Sequence, residues 1–148
     1  MVRRLFVYFL IGTLVLWAPA AIAEQTECAP KPDAWAAGEG FLHLEGQGKA
    51  TLGSLGDNVI YIANVAAAKI KVVGKGKVIP LPKENALLVL NLKGHVDMAG
   101  PKLKVSSFGP VKLKTLGHGV LCLEGKGLFR IKDKPKHKWP VELKKFKY

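Results

Sequence analysis

Arginine, carboxylates and cysteine are all scarce in this chain. Only Arg3, Arg4 and Arg130 are arginines among 23 basic residues, and 11 carboxylates stand against them. Bidentate reading of phosphates and bases favours arginine, whereas lysine acts as a hydrated point charge. Without an arginine–aromatic stripe, nucleic acid is the disfavoured polyanion. The carboxylates form no close cluster, and paired general acid–base work needs two converging groups. Two cysteines, Cys28 and Cys122, are too few for a disulfide framework. No long amphipathic helical run occurs anywhere, which excludes folds built on helix–sheet layers.

The first 23 residues carry their own pattern. Arg3 and Arg4 precede the 14-residue apolar run "LFVYFLIGTLVLWA" at positions 5 to 18, and "PAAIA" places Ala21 and Ala23 at small-residue cleavage positions. This pattern predicts a signal peptide over 1–23 and a mature chain from Glu24. The run is short for a spanning helix, which needs about 20 residues. The expected location is therefore outside the cytoplasm, periplasmic or secreted. There a Cys28–Cys122 disulfide is permitted, and two unpaired thiols are the alternative. Residues 24–148 carry 21 basic side chains against 11 acidic ones, a net charge of +10. We read 24–37 as an N-terminal extension, 38–132 as one all-β domain and 133–148 as a basic tail.

Glycine is the abundant signal. "GEGFLHLEGQGKATL" at 38–52 is echoed by "GHGVLCLEGKGLFRI" at 117–131, and Gly-x-Gly triplets start at Gly38, Gly46, Gly74, Gly117 and Gly125. A phosphate-binding loop would need a glycine where His43 stands, five residues before Gly48-Lys49. A dinucleotide fingerprint fails at all five triplets, where His43, Thr51, Ile79, Cys122 and Arg130 occupy the third-glycine position. The triplets read instead as three-residue hairpin loops. Around Gly46-Gln47-Gly48, Leu44 would then face Ala50 and Leu42 would face Leu52, with Glu45 and Lys49 on the other side. A one-residue slip would mix these faces, and the second glycine suits the left-handed position that closes such loops.

Alternating runs at 58–63, 68–73, 86–93 and 102–107 complete the set, separated by turn chemistry at Gly56-Asp57-Asn58, Pro80–Pro82, Gly100-Pro101 and Gly109-Pro110. The sequence predicts an all-β fold, an antiparallel β-sandwich or barrel of short strands and Gly-x-Gly hairpins. The alternative is a short β-solenoid whose glycine corners turn the chain onto new faces. "NVAAAKI" is the one place for a helical turn. The phrases "IKVVGKGKV" and "LCLEGKGLF" resemble the V-x-G-x-G-x-V repeats of exported bacterial domains such as the GIN-type head domain of adhesins. That resemblance implies an envelope or surface β-domain and carries no catalytic residues with it.

His43, His95, His118 and Cys122 match no standard metal-ligand spacing, and neither a metal nor another cofactor is expected. His43 aligns with Cys122 between the two echoed phrases, which would make them neighbours only if the terminal hairpins associate. His118 near Cys122 is the one thiol–histidine pair in sequence, with no recognisable oxyanion site. The lysines are more informative. Lys69 and Lys71, Lys102 and Lys104, and Lys112 and Lys114 alternate along strands and so share a polar face. The tail adds Lys134, Lys136, Lys138, Lys144 and Lys145 to this set. Pro135 and Pro140 argue for an extended arm, with Trp139 and Phe146 as interfacial anchors; the alternative has Trp139 packing back on the sheet edge. The expected role is a non-catalytic β-domain binding a polyanionic envelope component or an envelope protein, with peripheral membrane contact. A purely structural envelope protein is the alternative and an enzyme the third reading. The oligomeric state is left open.

Overall fold

The computed structural model describes residues 31–148, so the leader-like segment 1–23, most of the extension and Cys28 lie outside the described residues. Six strands form one sheet: β1 (Ala34–Leu55), β2 (Val59–Ala63), β3 (Lys69–Leu81), β4 (Ala86–Ile131), β5 (His137–Lys138) and β6 (Lys144–Lys147). Two 3₁₀ turns, Val65–Ala67 and Pro82–Glu84, are the helical content of the described residues. The first falls within "NVAAAKI", and left-handed Asn64 initiates it. The all-β, antiparallel expectation is what the chain adopts.

The glycine triplets do not turn hairpins. Gly46–Gly48 lies inside β1, and Gly117–Gly119 and Gly125–Gly127 lie inside β4. Leu44 does not face Ala50; it has Val105 on one side and Leu121 on the other. The same doubling recurs along β1, where Ala34 lies between Thr115 and Ile131, and Leu52 between Val96 and Leu113. Each such pair of flanking residues is 16 or 17 positions apart in β4. One geometry satisfies this. Residues 34 to 131 form a single long hairpin, with its tip at Pro82–Asn85, and the hairpin is coiled so that successive turns hydrogen-bond to each other.

β3 gives the uncoiled register near the tip, with Leu81 opposite Ala86 and Lys69 opposite Ala99. In β2, Val59 stands opposite Leu90 and Phe108, and Ala63 opposite Ala86 and Lys104. Its partners' numbers fall as its own rise, the antiparallel sense. Two rows of side chains then run across the sheet. One is Phe146–Leu121–Leu44–Val105–Ile62–Leu87–Pro80. The other is His137–Phe129–Ala36–Leu113–Leu52–Val96–Val72. At the usual strand spacing each row spans about 29 Å.

Going from one row to the next, every arm of the hairpin passes a glycine bend. Gly48 and Gly117 show why. They are ladder partners, with φ of 121° and 133°, values that side-chain-bearing residues avoid. A Cβ on Gly48 would run into the Leu116 carbonyl, and one on Gly117 into the Gln47 carbonyl. The two backbones can bend together only because neither carries a side chain. Gly40 with Gly125 and Gly74 with Gly94 repeat the arrangement.

Period-two alternation then fills one core. Leu42, Leu44, Leu52, Leu113, Leu121 and Leu123 are fully buried, in one cluster with Ile60, Val89, Val96 and Val105. Burying each leucine stabilises the fold by about 1.5–3 kcal/mol. The tail belongs to this body, contrary to the extended-arm expectation. β6 pairs with β4 from Val120 to Leu123, and β5 pairs at Leu128–Phe129. Trp139 is buried, its indole N–H donating to the Leu128 carbonyl at 2.9 Å, and Tyr148 is buried too. The prolines sit where pairing pauses, between β5 and β6 and just before β5, so they interrupt the edge without releasing it. At the opposite edge β3 pairs only with β4 among the described residues. Lys69, Lys71, Lys75 and Lys77 line that open edge, where lysine discourages further strand addition.

Candidate functional site: lysine-rimmed surfaces

The folded-back tail makes a pocket of about 550 Å³ lined by Phe129, Ile131, Pro140 and Phe146, with Lys134, Lys138, Lys144, Lys145, Lys147 and His137 around them. The Phe129 and Phe146 rings meet at a tilt, 4.5 Å between centroids, and His137 lies 5.9 Å from the Phe129 ring. Among the described residues no carboxylate lines the pocket. The floor is aromatic and aliphatic, and the rim is cationic. Four of the lysines singled out in the sequence meet here, and Lys147 joins them because β6 continues the alternation past Phe146. Lys136 points elsewhere, its Nζ 4.7 Å above the Trp35 ring in a cation–π contact.

The strand lysines divide between regions. Lys112 and Lys114 stand on the outer side of β4, opposite Ala37 and Trp35 on one side and Gly53 and Thr51 on the other. Their rows continue to Lys138 and Arg130 in one direction, and to His95 and Asp97 in the other. The coil thus brings Lys112, Lys114, Arg130 and Lys136 to one outer face. Lys69 and Lys71 border that face at the β3 edge, beside Lys49 and Asp97 in a shallow depression of about 300 Å³. Lys102 and Lys104 belong to the other face, where they line an open cleft with Glu45, Gln47 and His118. Lys104 Nζ lies 3.4 Å from Glu45 Oε1, and it is the only lysine within ion-pair distance of a carboxylate among the described residues. Lys71 and Lys126 have Asp97 and Glu39 as ladder partners without reaching ion-pair distance.

One cluster was not legible in the sequence. His43 Nδ1 lies 2.7 Å from Ser106 Oγ and its Nε2 lies 3.1 Å from Glu45 Oε1. Hydrogen bonding to His43, with a smaller contribution from Lys104, holds the Glu45 carboxyl below its ordinary range despite partial desolvation. The only available signal was His43 and Glu45 two apart on one strand, because Ser106 arrives through the coil. Acid, imidazole and hydroxyl stand in line, but Ser106 lies mid-sheet between His43 and Tyr61. Its neighbouring amides are committed to ladders, and an oxyanion needs free donors. Cys122 is half-buried next to His43 as its ladder partner, because the two echoed phrases pair as arms of one long hairpin and not as two associating hairpins. The partner considered for a disulfide, Cys28, is outside the described residues. Among the described residues no group of three histidine, cysteine or carboxylate side chains converges as a metal site.

The outer row beyond this cluster is apolar: Phe41, Phe108, Val59 and Leu90 are successive ladder partners. Among the described residues no helix is long and apolar enough to cross a membrane. Comparison with family models, with curated proteins and with solved structures finds no match to this chain.

Proposed function

We propose that this protein is an exported, non-catalytic β-domain that binds a polyanionic component of the cell envelope through its lysine-rich surfaces. The observation that carries the reading is the tail pocket, where five lysines surround an aromatic floor with no carboxylate among the lining residues. Lysine ammonium groups around a low-dielectric floor favour phosphate or carboxylate groups attached to an apolar or sugar body. The strand lysines 112 and 114 with Arg130 and Lys136 extend the field over one outer face, which raises the encounter rate with an extended polyanion. The envelope setting rests on the leader-like pattern of residues 1–23 and on the Gly-x-Gly likeness to adhesin head domains.

The test uses the full mature chain with two probes, dextran sulfate and vesicles containing phosphatidylglycerol, over a salt series. Binding to at least one probe should weaken steeply as salt rises. Lys138→Glu combined with Lys144→Glu should weaken it by on the order of tenfold or more, since each reversal replaces attraction with repulsion. Equal affinity for neutral dextran and neutral vesicles would remove the reading.

A further inference from the structure

We propose that the corner formed by Leu55, Val59 and Phe108 inserts into the interfacial zone of an anionic lipid bilayer. The inference rests on the polyanion reading and commits it to one source of anionic charge. Three large apolar side chains sit where β1 ends, where β2 begins and on the β4 partner of β2, with much of their surface in solvent. Leu55 is 92% exposed, Phe108 57% and Val59 40%. Phe108 and Val59 are ladder partners, and Phe41 flanks Phe108 with ring centroids 4.8 Å apart. Sequence alternation cannot explain this exposure as a core position, because Ser107 and Asn58, the neighbours in the chain, are the buried ones.

Charge identifies the occupant. Leu55 faces Lys93 across the ladder, and Lys93 faces Lys75; Leu90, beyond Val59, faces Lys77. An apolar corner is thus bordered by three cations on the adjacent strands, and Asp57 is the carboxylate in the connecting bend. Protein–protein interface centres are depleted in lysine. Peripheral membrane elements combine buried apolar side chains with lysines that meet anionic headgroups. The long lysine stems can also lie along the apolar surface with their ammonium groups at headgroup level.

The experiment uses the full mature chain, phosphatidylcholine vesicles with and without phosphatidylglycerol, and the same lipids brominated along their acyl chains. Phe108→Trp reports depth through extra quenching relative to the parent protein, whose own tryptophans set the baseline. The proposal expects that extra quenching on anionic vesicles only. Leu55→Ser with Phe108→Ser should leave the melting temperature nearly unchanged, because both side chains are exposed. It should cut the binding that survives high salt by on the order of tenfold or more. Anionic-vesicle binding of the Phe108→Trp variant without extra quenching would overturn the insertion while leaving the polyanion reading intact. Binding to dextran sulfate but not to vesicles would do the same. Loss of both would overturn both readings. Self-association that the double serine variant abolishes, with no extra quenching on vesicles, would show a second copy covering the corner and would also overturn insertion.

Discussion

Replacing Gly48 with alanine puts one methyl group where the coiled hairpin has no room. Two costs add. The φ of 121° lies outside the comfortable range of an L-residue, a strain of about 1–3 kcal/mol. The new Cβ also meets the Leu116 carbonyl, and relieving such an overlap by backbone movement costs about 1–3 kcal/mol more. The expected loss is about 2–6 kcal/mol, a large part of the stability of a domain this size. It corresponds to a fall in melting temperature of about 6–30 °C. Gly46 has no positive φ, yet its Cβ would lie 2.6 Å from the His118 carbonyl oxygen. Gly46→Ala should therefore also destabilise, by about 1–3 kcal/mol through the overlap alone. Gly53 is the control. Its Cβ would have nothing nearer than 3.8 Å, and its backbone is ordinary. Gly53→Ala should be neutral or stabilising by about 0.5 kcal/mol, because alanine loses less chain entropy. Thermal and urea unfolding of the three variants decides the matter. A neutral Gly46→Ala beside a damaging Gly48→Ala would restore the three-residue loops and refute the bends.

Further outcomes follow from the folded-back tail and the core. Trp139→Ala should cost about 3–5 kcal/mol in urea unfolding, since the indole is buried and hydrogen-bonded to Leu128; a solvated arm would lose almost nothing. Burial raises the Tyr148 phenol above its ordinary range, and the Asp33 charge adds to the rise. Its contribution to stability is full below the unfolded value near 10 and is lost as pH rises through the folded value. Tyr148→Phe should flatten the alkaline limb of the stability–pH curve, and an unchanged limb would refute that origin. Leu44→Ala removes a side chain held between Val105 and Leu121 and should cost about 2–5 kcal/mol by thermal or urea unfolding.

The sequence reveals faces better than partners. Alternation assigned Leu42, Leu44, Leu121 and Leu123 to the inside and His43 and Cys122 to the outer side, and all are so placed. It assigned Leu52 as the partner of Leu42, whereas the partners are Ser107 and Leu123. A period of two fixes which side a residue faces but is silent about which strand lies beside it. The glycines misled for a related reason. A Gly-x-Gly triplet satisfies a loop that needs a positive φ and a bend that needs two bare backbones, and only the opposing glycine distinguishes them. The opposing glycines here are Gly117 for Gly48 and Gly125 for Gly40, remote in sequence. The tail's prolines suggested release from the sheet, but Trp139 and Tyr148 supply enough buried surface to hold it. The lysine pairs were visible as alternating charge. The convergence of the tail lysines around Phe129 and Phe146 depends on β6 returning to β4, which no local pattern encodes.

The most direct measurement is an amide-resolved NMR titration of the mature protein with dextran sulfate at low and high salt. The account predicts salt-sensitive shifts concentrated at Lys134, Lys138, Lys144, Lys145 and Lys147, with Phe129 and Phe146 moving alongside them. Shifts spread evenly over lysines on every face would contradict it, as would no shifts at low salt together with no binding to phosphatidylglycerol vesicles.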